Sequence, residues 1–310
     1  MDHFDGPPSI STFSNSFSCG CVLPTSLSLS SPSLTQLSLI LLYRLYVMST
    51  PSSHISDRAA GVASFKVMDV LQKANALQAA GHHVLHCEVG QPETGAPATV
   101  AQAAVDALTE PQVMGYTDAF GLLALREKIA EHYRKYYSQL EETQVPSADR
   151  IVITTGSSGA FLLAFTACFD AGDTVAIASS GYPCYRNILS ALGCHQANLG
   201  VNAEFKLTAV ELKAEIDRRE QAGEAPLKGL ILSSPSNPTG AMLSPSELEA
   251  LCQLCDEHGI QFLSDEIYHG ISYGKEEATS LQYSDKTVVI NSFSKYYSSK
   301  WTEWMLGDSQ

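Results

Sequence analysis

A lysine, a carboxylate, an amide, two tyrosines and a small-residue turn each follow an apolar run and could act together. Lys295 closes Asn291-Ser292-Phe293-Ser294-Lys295, directly after the β-branched run Thr287-Val288-Val289-Ile290. An amine that is desolvated or set beside another cation loses its proton more readily and can form a Schiff base with a carbonyl. By itself the same lysine also reads as a solvated side chain after a strand. Asp265 and Tyr268 lie in Ser264-Asp265-Glu266-Ile267-Tyr268, after the run Ile260 to Leu263. A carboxylate there needs a positive or donating partner, or it serves as a helix N-cap. Asn237 is presented by Ser234-Pro235-Ser236-Asn237-Pro238-Thr239-Gly240, whose two prolines fix the backbone. Tyr182 offers a ring that could stack on a planar ligand or pack beneath its loop. Gly156-Ser157-Ser158-Gly159 could cradle an anion at a helix start. It has no P-loop lysine, and Ser157 reads equally as an N-cap.

These residues need a scaffold that brings strand ends together. After Asp149 the pattern repeats strand, turn and helix, which predicts a parallel sheet with helices on both faces. Strands are expected at Ile151 to Thr154, Thr174 to Ser179, Leu227 to Ser233, Ile260 to Leu263 and Thr287 to Ile290. Capping boxes start helices at Thr208 with Glu211 and at Ser244 with Glu247, and Gly223 and Gly259 end them. Upstream, helices are expected over Ser64 to Ala80, over 98 to 108, and from Gly121 to Tyr137. A short strand is expected at Val84 to Val89, running into the turn Gly90-Gln91-Pro92-Glu93. On this plan the candidate groups gather on the carboxyl edge of one sheet, where open α/β folds place ligands.

The net charge of −14 argues against nucleic acid or an anionic membrane as a partner. The eight cysteines are scattered, which favours a reducing compartment over a disulfide framework. Cys252 and Cys255 share a helix face with Leu248 and Leu251, so core packing is favoured over redox or zinc chemistry. Residues 1–50 are expected to be a disordered or spurious leader, 51–97 an N-terminal arm and small-domain segment, and 98–310 the large ligand-binding domain. A start at Met48 would leave a cytoplasmic protein, and a serine-rich plastid-type leader is the alternative.

Together TTGSSGA, SSPSNPTG, LSDEIYHG and NSFSK resemble, in order and approximate spacing, the fold-type I pyridoxal-phosphate enzymes, most closely class I/II aminotransferases of the aspartate aminotransferase type. The resemblance runs from about Ser64 to Tyr297. It implies a three-layer α/β/α fold with a mostly parallel sheet, pyridoxal 5'-phosphate as cofactor, and transamination between an L-amino acid and a 2-oxo acid. It further implies that Lys295 holds the cofactor as an internal aldimine and shuttles the substrate Cα proton, and that Asp265 pairs with the pyridine nitrogen. Asn237 and Tyr268 would bond the ring's phenolate oxygen, and Tyr182 would stack on the ring. Gly156, Ser157, Ser158 and Ser292 look like phosphate ligands. Tyr116 matches the tyrosine that reaches the phosphate of a neighbouring subunit, which implies a homodimer, and Gly90 matches the glycine beside the substrate carboxylate.

The pattern breaks after Lys295. The family places a phosphate-clamping arginine eight residues past the lysine, where this chain has Glu303; a two-residue insertion would instead put Met305 at that position. The antiparallel strand beside the lysine-bearing strand and the small C-terminal domain are expected to be missing, and activity to be impaired. The resemblance leaves two other readings open. One is a different reaction of the same cofactor, such as carbon–sulfur lysis or aminocyclopropane-carboxylate synthesis; the other is an inactive partner of an intact paralogue.

Overall fold

The computed structural model describes residues 56–92, 94–109, 115–299 and 303–306. The leader expected over 1–50 lies outside the described residues, as do Glu93, Trp301, Thr302 and Gly307. The strands are β1 (Ile151–Thr154), β2 (Thr174–Ala178), β3 (His195–Leu199), β4 (Gly229–Ser233), β5 (Gln261–Asp265), β6 (Val288–Ser292) and β7 (Glu303–Leu306). They form one sheet in the order β1-β7-β6-β5-β4-β2-β3. The helices are α1 (Asp57–Ala60), α2 (Lys66–Ala79), α3 (Ala98–Thr109), α4 (Leu123–Tyr136), α5 (Ser157–Cys168), α6 (Pro183–Leu192), α7 (Ala209–Ala222) and α8 (Pro245–His258).

Side-chain alternation along the central strands decides which helices cover which face. Val175, Ile177, Ile231, Leu263 and Ile290 pack with Phe161 and Phe165 of α5 and Leu189 of α6. Ala176, Ala178, Leu230, Leu232 and Phe262 pack with Leu212 of α7 and Leu248 and Leu251 of α8. The result is the expected three-layer α/β/α arrangement, with β2 and β4 buried along their whole length and β5 buried from Phe262 to Asp265. Both capping boxes form, at Thr208 and at Ser244. Cys252 and Cys255 are buried in the α8 core as free thiols. Burial pushes the Cys255 thiol up to about 12, which removes its nucleophilic form at neutral pH.

Two expectations are corrected, and two elements went unanticipated. The antiparallel strand expected to be missing is β7: it pairs with β1 through Ile151↔Leu306 to Thr154↔Glu303, and with β6 through Val289↔Leu306 to Ser292↔Glu303. Without it, β1 and β6 would leave two rows of backbone donors and acceptors unpaired, so the demand of the neighbours outweighs weak local propensity. The stretch Val84 to Val89 is not a strand, because no described segment pairs with it, and Leu85 is 80% exposed. The helix α6 and the edge strand β3 were not anticipated. Pro183 at the start of α6 and Gly193 at φ 80° after it were the available signals.

Candidate active site

Five loops leave the carboxyl edge of the sheet toward one cavity of about 530 Å³. Seven of the residues singled out in the sequence line it: Gly90, Ser157, Tyr182, Asn237, Asp265, Tyr268 and Lys295. An adjoining cleft of about 820 Å³ shares Gly90, Asn237, Tyr268 and Lys295 with it and continues past Met242, Ile271 and Lys275.

Lys295 follows β6, and its Nζ stands 5.6 Å from the centre of the Tyr268 ring. Asp265 ends β5 and is 3% exposed. Its Oδ1 accepts the Ile267 amide at 3.2 Å, and its Oδ2 accepts the Tyr185 hydroxyl. Burial, and then the adjacent Asp265 carboxylate, push the Tyr185 phenol well above its ordinary range, so Tyr185 remains a donor. Asn237 Nδ2 donates to Tyr268 Oη at 3.2 Å. That bond occupies a lone pair of the hydroxyl and leaves its proton for an acceptor in the cavity. Burial raises the Tyr268 phenol as well, which keeps that proton in place.

Tyr182 precedes α6, with Phe65 against it edge-on at 5.9 Å and 88°. Gly156 caps α5 at φ 86°, a conformation that L side chains rarely adopt and that lets the chain turn sharply into the helix. Four candidate residues stand apart from the cavity lining. Gly156 lies behind Ser157, while Ser158 is exposed with its Oγ 3.9 Å from Cys184 Sγ. Ser292 is 2% exposed and bonds Ser294 Oγ at 2.7 Å, and Ser294 itself reaches the cavity. Tyr116 is fully exposed. Sequence reasoning missed Tyr185 and Phe65; the spacing of Tyr185 from Tyr182, one helical turn, was the signal for the first. Among the described residues no cluster of His, Cys, Asp or Glu could hold a metal ion, and no helix is long and apolar enough to cross a membrane.

The model of the aminotransferase class I and II family matches residues 83–300. The chain belongs to this family. It is 47% identical over 260 residues to the valine–pyruvate aminotransferase of Mycobacterium tuberculosis, covering 82% of this chain and 63% of that protein. It is 31% identical over 261 residues to an aspartate aminotransferase of Geobacillus stearothermophilus, covering 82% and 62%. Among solved structures, an aminotransferase from M. tuberculosis superposes with a TM-score of 0.74 at 44% identity, covering 82% of this chain and 64% of that one. Aspartate aminotransferase of Thermus thermophilus with maleate gives 0.75 at 25% identity, covering 83% and 65%. The chain thus spans somewhat less than two thirds of the length of these aminotransferases, and its three-layer fold is theirs.

The residues present suit the cofactor implied by this family. A buried carboxylate that already takes two donors can meet a ring cation, the paired amide and hydroxyl can meet a phenolate, and a lysine amine stands over the same space. At the phosphate end, Ser157, Ser294 and the start of α5 offer neutral donors.

Proposed function

We propose that this chain holds pyridoxal 5'-phosphate at Lys295 and serves transamination between an L-amino acid and a 2-oxo acid. The observation that carries the reading is Asp265, a buried carboxylate on the cavity wall with the Tyr185 hydroxyl behind it and Lys295 in the loop that follows the neighbouring strand. When bound, the cofactor supplies an electron sink for the carbanion left at the substrate Cα.

The chain's own residues do the rest. Asp265 pairs with the pyridine nitrogen and keeps a proton on it, and Tyr185 holds that carboxylate in line. Asn237 and Tyr268 donate to the phenolate oxygen. Tyr182 covers one ring face, with Phe65 backing it. Ser157, Ser294 and the backbone at the start of α5 receive the phosphate, and Gly90 lies beside the substrate carboxylate. Lys295 Nζ takes the proton from the substrate Cα and returns it on the other side of the transfer. Tyr116 projects from the surface, as suits a residue that serves the site of a second copy. The exposed Phe120 and Leu122, a few residues past Tyr116, and Leu162 and Leu163 on α5 supply apolar surface for such a homodimer.

The proposed phosphate end is weakly charged. The register of β7 sets position 303 between Thr154 and Ser292; that residue is glutamate where one alignment of the family resemblance expects arginine, and the other alignment puts Met305 at the arginine, so neither supplies a cation. The cofactor is therefore held loosely and turnover is low. Incubation with pyridoxal 5'-phosphate, an L-amino acid and 2-oxoglutarate tests the reading: glutamate formation above that of Lys295→Ala supports it. Ammonia or a cyclic product in its place would assign another reaction, and tight stoichiometric binding would contradict the loose phosphate end.

A further inference from the structure

We propose that His269 is a positioning residue that holds the Asn237–Tyr268 pair in place, a role that bears on catalysis only through the cofactor reading above. His269 is 8% exposed and does not line the large cavity. It directly follows Tyr268, yet its ring reaches the other loop: Nε2 lies 3.0 Å from the carbonyl oxygen of Ser234, three residues before Asn237. Its Nδ1 lies 2.5 Å from the hydroxyl of Tyr137, just past α4. One imidazole thus joins the loop that carries Asn237, the loop that carries Tyr268 and the end of a helix.

The partners fix the protonation pattern. A carbonyl only accepts, so Nε2 carries the hydrogen. In the neutral ring Nδ1 is then bare and accepts, and burial, which pushes the Tyr137 phenol well above its ordinary range, keeps on that hydroxyl the proton it donates. Glu266 Oε2 stands 3.6 Å from Nδ1, beyond hydrogen-bond range. Glu266 Oε1 instead accepts Ser264, Thr279 and both donors of Ser280, which ties the start of the loop to the following 3-10 turn. The backbone adds a second tie, since the Ser234 amide donates to the Asp265 carbonyl at 3.2 Å. The Asn237–Tyr268 bond, at 3.2 Å, spans two loops with no ladder between them, and His269 is the side chain that joins them behind it.

Nuclear magnetic resonance on the full chain without cofactor tests this. The His269 ring should show a protonated Nε2 and a bare Nδ1. The Asn237 side-chain amide signals should move in Tyr268→Phe, move at least about half as far in His269→Phe, and return in His269→Gln, which keeps a donor toward Ser234. A protonated Nδ1, or Asn237 signals unmoved in His269→Phe, would overturn the proposal. The tautomer of the unsubstituted protein and the His269→Gln spectrum decide it even where His269→Phe fails to fold. With pyridoxal 5'-phosphate added, the midpoint of the pH-dependent absorbance of the lysine-bound chromophore should rise by about half a pH unit in His269→Phe and stay put in His269→Gln. A chain that binds no cofactor at all defeats the proposed function and leaves the resonance results to decide the role of His269.

Discussion

At one end of the cavity Asp265 is 3% exposed and Tyr185 2%, joined by a hydrogen bond and backed by Phe161 and Tyr182 at ring distances of 5.0 and 5.6 Å. At the other end the donors are the hydroxyls of Ser157 and Ser294 and the start of one helix. The ring end is built from side chains locked by one another before any ligand arrives. The proposed phosphate end depends on hydroxyls and on backbone groups at the start of α5. A locked end sets geometry, whereas an end of neutral donors meets an anion without a countercharge, so its affinity responds to any charge added there.

That contrast can be broken from either side. Asp265→Asn removes the buried charge and should weaken cofactor binding by roughly 100-fold, read by absorbance titration. Tyr185→Phe leaves the charge but removes a charge-assisted donor, and a loss of about tenfold is expected. Glu303→Arg should act in the opposite sense, tightening binding several-fold, by about 1 kcal/mol, without changing the ring absorbance. A change confined to the absorbance would instead place position 303 at the ring.

The smallest effect concerns Glu277, which supports the loop behind the ring end by accepting from the Gly270 amide at 3.0 Å, from Tyr136 at 2.9 Å and from Ser272. Burial opposes its charge, but these donors, together with the neighbouring His269 ring, outweigh burial and hold its carboxyl below the ordinary value of 4.5. Its contribution to stability is therefore present above that value and fades as pH falls through the lowered one. Thermal unfolding should show the unsubstituted protein losing its advantage over Glu277→Gln as pH drops below 4.5. An advantage that persists there would assign Glu277 no charged role.

Much of the ring end was legible because each residue sits at a fixed offset from a buried strand. Asp265, Asn237 and Lys295 follow apolar runs, and the parallel sheet brings those run ends to one edge. Tyr185 was not legible as a partner of Asp265, since 80 residues separate them and only the sheet order joins β2 to β5 through β4. His269 was hidden in the same way by its partners Ser234 and Tyr137. The capped helices α7 and α8 could be read locally. The strand β7 could not, because Glu303-Trp304-Met305-Leu306 has no β-branched residue and is held by pairing on both edges.

The most direct test of the account is to reduce the chain with borohydride after adding pyridoxal 5'-phosphate and to map the modified peptide. The account predicts a single adduct on Lys295, absent in Lys295→Ala. Label spread over surface lysines, with Lys295 no more modified than Lys275, would contradict it.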